Sequence, residues 1–129
     1  MNELSTLREM AQDAMRNAYA PYSHYRVGAC LEADDGTLYR GCNMENAAYG
    51  STLCAERGAL MAAVAAGRRH FTRIVICSEG SYPWPCGACR QALNEFSPDL
   101  TVHVIAGNGD MRSRPLRELL PEAFGPENL

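Results

Sequence analysis

The stretch IVICSEGSYPWPCGACRQALNEFSPDLTVHVIA, residues 74–106, decides the fold. Residues 74–77 form a continuous apolar run, the pattern of a strand buried on both faces. Residues 78–85 are rich in turn formers. Residues 86–96 read as a helix closed by Pro98, and 100–106 read as a second strand. A strand, a helix and a strand in succession favour a right-handed crossover, which makes the two strands parallel.

The flanking sequence extends this unit. Leu4, Leu7, Ala11, Ala14, Met15 and Ala18 recur at helical spacing, so residues 3–18 read as an amphipathic helix ending before Pro21. Residues 26–33 alternate, with Val27, Ala29 and Leu31 on one face. Asp34-Asp35-Gly36 is a turn signal and 37–43 follows as a second strand, giving a hairpin. Residues 43–53 form a polar loop. A helix then starts near Cys54, with Leu60, Met61 and Val64 on its core face and Gly67 at its C-terminal cap. After the turn Gly107-Asn108-Gly109-Asp110, a short helix spans 115–120. The expected fold class is α/β, a three-layer mixed β-sheet with helices on both faces, forming a single domain over 1–129.

Composition narrows the function classes. In 129 residues, 47% are hydrophobic and 21% charged, the balance of a soluble globule. No apolar run approaches the ~20 residues that span a bilayer. The N-terminal MNELSTLREM lacks the apolar core of a secretory signal, so a cytoplasmic location is expected. Twelve Arg and no Lys stand against fifteen acidic residues, for a net charge of −3. The Arg residues are scattered, which argues against nucleic acid as partner.

Six Cys in a reducing compartment read as thiols rather than disulfides. Cys86-x-x-Cys89 by itself suits half a structural zinc site, a redox pair or part of a catalytic metal site. Cys30, Cys42 and Cys77 fall in expected strands, where a free Cys is usually a small core residue. His24, His70 and His103 are isolated and read as structural. Cys54-Ala55-Glu56 and Pro85-Cys86-Gly87-Ala88-Cys89 each stand where a loop enters a helix. Free N–H groups at helix starts stabilise thiolates, the metal-binding form. Two adjacent helix starts could gather Cys54, Cys86 and Cys89 around one ion. Three ligands with a fourth position for water is the arrangement of a catalytic zinc site, and Glu56 stands beside it as a proton carrier.

These segments resemble the cytidine deaminase family. The match runs through Cys54-Ala55-Glu56-Arg57 and Pro85-Cys86-Gly87-Ala88-Cys89-Arg90-Gln91, the ligand-x-Glu and Pro-Cys-x-x-Cys signature of zinc deaminases. It extends to Ala20-Pro21-Tyr22-Ser23, Val27-Gly28-Ala29, Gly41-Cys42-Asn43, Glu45-Asn46, Leu119-Leu120-Pro121 and Ala123-Phe124. The pattern is similar to the short, all-cysteine class, which forms homotetramers.

The resemblance implies one Zn2+ per chain on Cys54, Cys86 and Cys89, with Glu56 moving protons during hydrolysis of cytidine or deoxycytidine in pyrimidine salvage. It implies that Asn43 and Glu45 bind the ribose. Backbone N–H groups near Ala55 and Cys86 would hold the base carbonyl, and Arg57 would donate to the thiolates. Phe124 would reach a neighbouring subunit's pocket. Tyr25 stands where the family usually has Phe beside the pyrimidine, and Trp84 is a second local departure.

Overall fold

A computed structural model describes residues 2–129. Helix α1 (Leu4–Arg16) precedes strands β1 (Val27–Ala33) and β2 (Leu38–Cys42). Then come α2 (Ala55–Ala65), β3 (Phe71–Ser78), α3 (Gly87–Phe96), β4 (Thr101–Ile105), β5 (Met111–Pro115) and α4 (Leu116–Leu119). Short 3-10 turns lie at Tyr49–Ser51 and Pro126–Asn128. The five strands form one mixed sheet in the order β2-β1-β3-β4-β5. β3 and β4 are parallel, as the crossover rule requires, and every other neighbouring pair is antiparallel.

Strand alternation divides the core in two. Ala29, Leu31, Ile74, Ile76, Val102 and Val104 face α2 and α3. Cys30, Val75, Cys77 and Ile105 face Leu7 and Ala11 of α1. Each fully buried Leu, Ile or Val stabilises the fold by ~1.5–3 kcal/mol relative to exposure. Two glycines let the helices seat closely on the sheet. A Cβ at Gly28 would lie 2.0 Å from Ala11 O of α1, and one at Gly41 would lie 2.3 Å from Ala55 O of α2. No side chain fits either place. The second contact bears on function, because it fixes the first turn of α2.

Three expectations need correction. Helix α1 stops at Arg16 rather than 18, because Tyr19 leaves the helix to pair with the loop after β2. Its N–H donates to Asn43 O at 3.0 Å, and its carbonyl accepts from Glu45 N at 2.8 Å. Met61 is 60% exposed, not core; Ala55, Ala59, Leu60 and Ala63 make the buried face of α2. Strand β5 was not expected at all. Its sequence MRSRP is exposed throughout, so as an edge strand it carries no hydrophobic alternation, and its arginines suit an edge that must not pair further. Cys30 and Cys77 are buried as expected, while Cys42 is half-buried. Burial pushes the Cys30 thiol up to about 12 and Cys77 up to about 11, so both stay protonated.

Candidate active site

The connection from α2 to β3 is short, so the start of α2 lies at the carboxyl end of β3. Helix α3 also starts there, after the loop that leaves β3. Ligand sites of open α/β sheets form at such strand ends. Cys54 is the N-cap of α2 and Cys86 the N-cap of α3. Cys89 lies one turn into α3 and is buried. Neither cap sulfur accepts a capping hydrogen bond from the backbone N–H groups of its own helix, so both sulfurs remain free to face each other.

Cys54 Sγ and Cys86 Sγ are 3.9 Å apart, and Cys86 Sγ and Cys89 Sγ 3.5 Å. All three sulfurs lie within 4.8 Å of one another. Zn–S bonds of ~2.3 Å in tetrahedral geometry place sulfurs about 3.8 Å apart, so the cluster fits zinc in spacing and in donor type. Thiolate donors also select zinc over hard cations. The hydrogen bond from the Cys89 thiol, followed by those from Arg57 and Cys86, holds the Cys54 thiol down at about 5 despite its partial burial. The same sharing pushes Cys89 up. Arg57 Nη2 donates to Cys54 Sγ at 3.4 Å. Its Nε is buried with no hydrogen-bond partner among the described residues.

Cys54 and Cys86 open onto a cavity of about 200 Å³ that Tyr25, Asn43, Ala55, Glu56, Pro83 and Trp84 help to line. Glu56 is only 5% exposed. Burial is the chief reason that its carboxyl is pushed up to about 7, with the nearby Cys54 charge adding to it. The first backbone bond of α2 runs from Gly58 N to Cys54 O. The N–H groups of Ala55, Glu56 and Arg57 therefore have no partner within the helix.

The two expected ribose residues already hold the chain. Asn43 Oδ1 accepts from Val27 N at 2.9 Å, and its Nδ2 donates to Tyr25 O at 2.8 Å. Glu45 Oε1 accepts from Tyr22 N at 2.9 Å and Ser23 N at 3.1 Å, and its other oxygen accepts from Ser23 Oγ. These bonds lower the Glu45 pKa, the Ser23 side chain first. Asn43 lines the cavity; Glu45 lines the adjoining hollow of about 380 Å³ with Tyr22 and Tyr49. Thr52 borders both spaces and joins them into one groove.

Phe124 does not line its own chain's cavity. It is 60% exposed, and its carbonyl accepts from Gln91 Nε2 at 2.8 Å. Sequence reasoning missed Thr52 and Pro83 and gave Trp84 no role. Their closeness in sequence to Cys54 and Cys86 was the available signal.

The family described as cytidine and deoxycytidylate deaminase zinc-binding region matches residues 1–105. A cytidine deaminase of Sporosarcina psychrophila is 44% identical, over 92% of this chain and 89% of its own. One from Halalkalibacterium halodurans is 43% identical, over 100% and 98%. The crystal structure of cytidine deaminase from Burkholderia pseudomallei superposes with a TM-score of 0.91 at 45% identity, covering 95% of this chain and 100% of that one. With the family matching residues 1–105 and relatives 43–44% identical over nearly the whole chain, this chain belongs to the cytidine and deoxycytidylate deaminase zinc-binding family.

Proposed function

We propose that this chain hydrolyses cytidine and 2'-deoxycytidine to uridine and 2'-deoxyuridine, releasing ammonia, as a step in pyrimidine salvage. The observation that carries the reading is the buried Glu56 carboxyl in the same cavity as the sulfurs of Cys54 and Cys86. A structural zinc site or a redox pair has no use for a sequestered carboxyl beside an open groove.

Cys54, Cys86 and Cys89 would hold one Zn2+ per chain. When bound there, zinc supplies a water that ionises near neutral pH and can attack an electrophilic carbon. Glu56 accepts the water's proton and gives it to the pyrimidine N3 as C4 is attacked. It then carries the second proton, from the oxygen added at C4, to the exocyclic amine, which departs as ammonia. Burial keeps this carboxyl away from bulk water, so the proton stays within the site.

The free N–H groups at the start of α2, Ala55 foremost, donate to the base carbonyl together with the backbone near Cys86. The Tyr25 ring packs beside the base. Asn43 retains one amide N–H and Glu45 retains free lone pairs beyond their bonds to residues 22–27. These bind the ribose hydroxyls, and the same side chains fix the segment that carries Tyr25. Remote contacts of this kind orient C4 for attack. Arg57 donates to the thiolates and offsets their charge.

The whole chain, 1–129, acts as one deaminase domain and assembles as a homotetramer, with Phe124 projecting into a neighbour's groove. Its exposure in the isolated chain supports that role. Among the described residues no helix is long and apolar enough to cross a membrane. With a net charge of −3 and scattered arginines, the groove suits a small nucleoside rather than nucleic acid, and the enzyme works in the cytoplasm. The test is purified, zinc-loaded protein incubated with cytidine. Loss of the aminopyrimidine ultraviolet band with one ammonia per uridine is expected, and an unchanged spectrum refutes the reading.

A further inference from the structure

Between β3 and α3 the chain forms one wall of the cavity through Pro83 and Trp84. This segment has no regular structure of its own. It is held from outside by the β4–β5 hairpin, no residue of which lines the cavity. Gly107 N donates to Gly80 O at 2.8 Å. A Cβ at Gly107 would lie 2.3 Å from Glu79 O, so hairpin and segment meet backbone to backbone. Tyr82 donates its hydroxyl to Asp110. The Arg112 guanidinium lies 4.2 Å over the Tyr82 ring, and that of Arg114 lies 5.9 Å over the Trp84 ring. Both are within the range of cation–π attraction. Arg112 and Arg114 alternate along β5 and so present their side chains on one face.

The place of this wall along the groove gives it a chemical meaning. Trp84 lines the same cavity as Cys54, Cys86 and Glu56 and is absent from the lining of the hollow with Glu45, so it stands at the metal end. Glu45 lies at the other end, in the hollow beyond Thr52. If the groove takes a cytidine as proposed above, on which this inference rests, the metal end holds C4 and its exocyclic amine. We propose that Trp84, steadied by Arg114, is a specificity-determining residue. It limits the size of the departing amine, admitting NH2 and excluding N4-alkyl groups. Arg114 is a positioning residue that acts through the indole.

The test compares cytidine with N4-methylcytidine, which on hydrolysis consumes one water and gives uridine and methylamine. In zinc-loaded Trp84→Ala the ratio of kcat/KM for N4-methylcytidine to that for cytidine should rise about ten-fold, the scale on which one methyl group is discriminated in a pocket. Trp84→Phe should stay near the parent ratio. Arg114→Leu should raise the ratio by a smaller factor, and Arg114→Lys should restore it, because an ammonium can also sit over the ring. An unchanged ratio in folded, metal-loaded Trp84→Ala overturns the proposal. If that variant does not fold, equal ratios for Arg114→Leu and Arg114→Lys overturn it instead.

Trp84 is the chain's one tryptophan, so its emission gives a readout independent of turnover. Titrating uridine into the parent protein should change that emission. Constant emission while calorimetry records binding removes Trp84 from the cavity and overturns the proposal. A protein whose emission responds but which leaves cytidine intact refutes the proposed reaction. The wall is then judged on binding, where Trp84→Ala must narrow the gap in affinity between cytidine and N4-methylcytidine.

Discussion

Cys54 and Cys86 cap two different helices thirty-two residues apart in sequence, yet their sulfurs stand 3.9 Å from each other. Neither helix could hold a metal ion alone. The packing of α2 onto Gly41 of β2 and the crossover from β3 to β4 bring the two caps together.

Cys89 completes the set from the first turn of α3. Cys89→Ala should leave two thiolates, a far weaker site. Elemental analysis should find one zinc per chain in the purified parent and little in the variant. Full occupancy would require a different ligand set.

Glu56→Gln should fold and bind zinc as the parent does, since the amide matches the carboxylate in shape. It cannot accept a proton, and turnover should fall by at least ~10²-fold. Single-turnover assays on metal-loaded protein decide this, and near-parent rates would remove Glu56 from the proton path.

In the proposed reaction Arg57 acts on charge. With zinc bound, three thiolates and the ion would sum to about −1, which would oppose ionisation of a water there. The hydrogen bond from Arg57 to Cys54 draws electron density from that sulfur. Arg57→Gln should keep the metal, turn over more slowly, and move the pH–rate profile upward. An unchanged rate and profile would leave Arg57 a packing residue.

Phe124→Ala should raise KM for cytidine several-fold while thermal stability changes little, because the ring packs against little of its own chain. Sedimentation should find the parent as a tetramer. A fully active monomer would end this account of the C-terminal segment.

Glu32 does not line the site's cavity and contributes to acid stability. Burial raises its pKa, but hydrogen bonds from Arg73, Asn2 and Thr72, with the Arg73 charge, outweigh that and bring it down to about 2. Arg73 Nε donates at 2.8 Å and Thr72 Oγ1 at 2.9 Å. An unfolded Glu titrates near ~4.3. The folded value is the lower one, so this stabilisation is complete above about pH 4.3 and is lost as pH falls towards 2. Glu32→Gln should cost about 2 kcal/mol at neutral pH and flatten the loss of stability across that acid window. Urea unfolding at a series of pH values measures both.

The sequence by itself determined what rests on local pattern. Period-two alternation marked β1, the continuous run marked β3, and helical spacing with Gly67 marked α2, whose Gly67 has φ of +90°. The ligand-x-Glu and Cys-x-x-Cys spacings singled out Cys54, Glu56, Cys86 and Cys89, which the structure gathers at one cavity, because such chemistry depends on residue type at fixed offsets along helix starts. Tertiary structure decided the rest. Strand β5 exists because β4 offers it a ladder, not because MRSRP favours a strand. Met61 points outward because helix rotation is set by the close contact of α2 with Gly41. Asn43 and Glu45 bond to residues 22–27, contacts that no spacing encodes. Trp84 received no role from its neighbours in sequence. Its place depends on Arg114, thirty positions later, which reaches the indole only after the β4–β5 hairpin has folded back beside it.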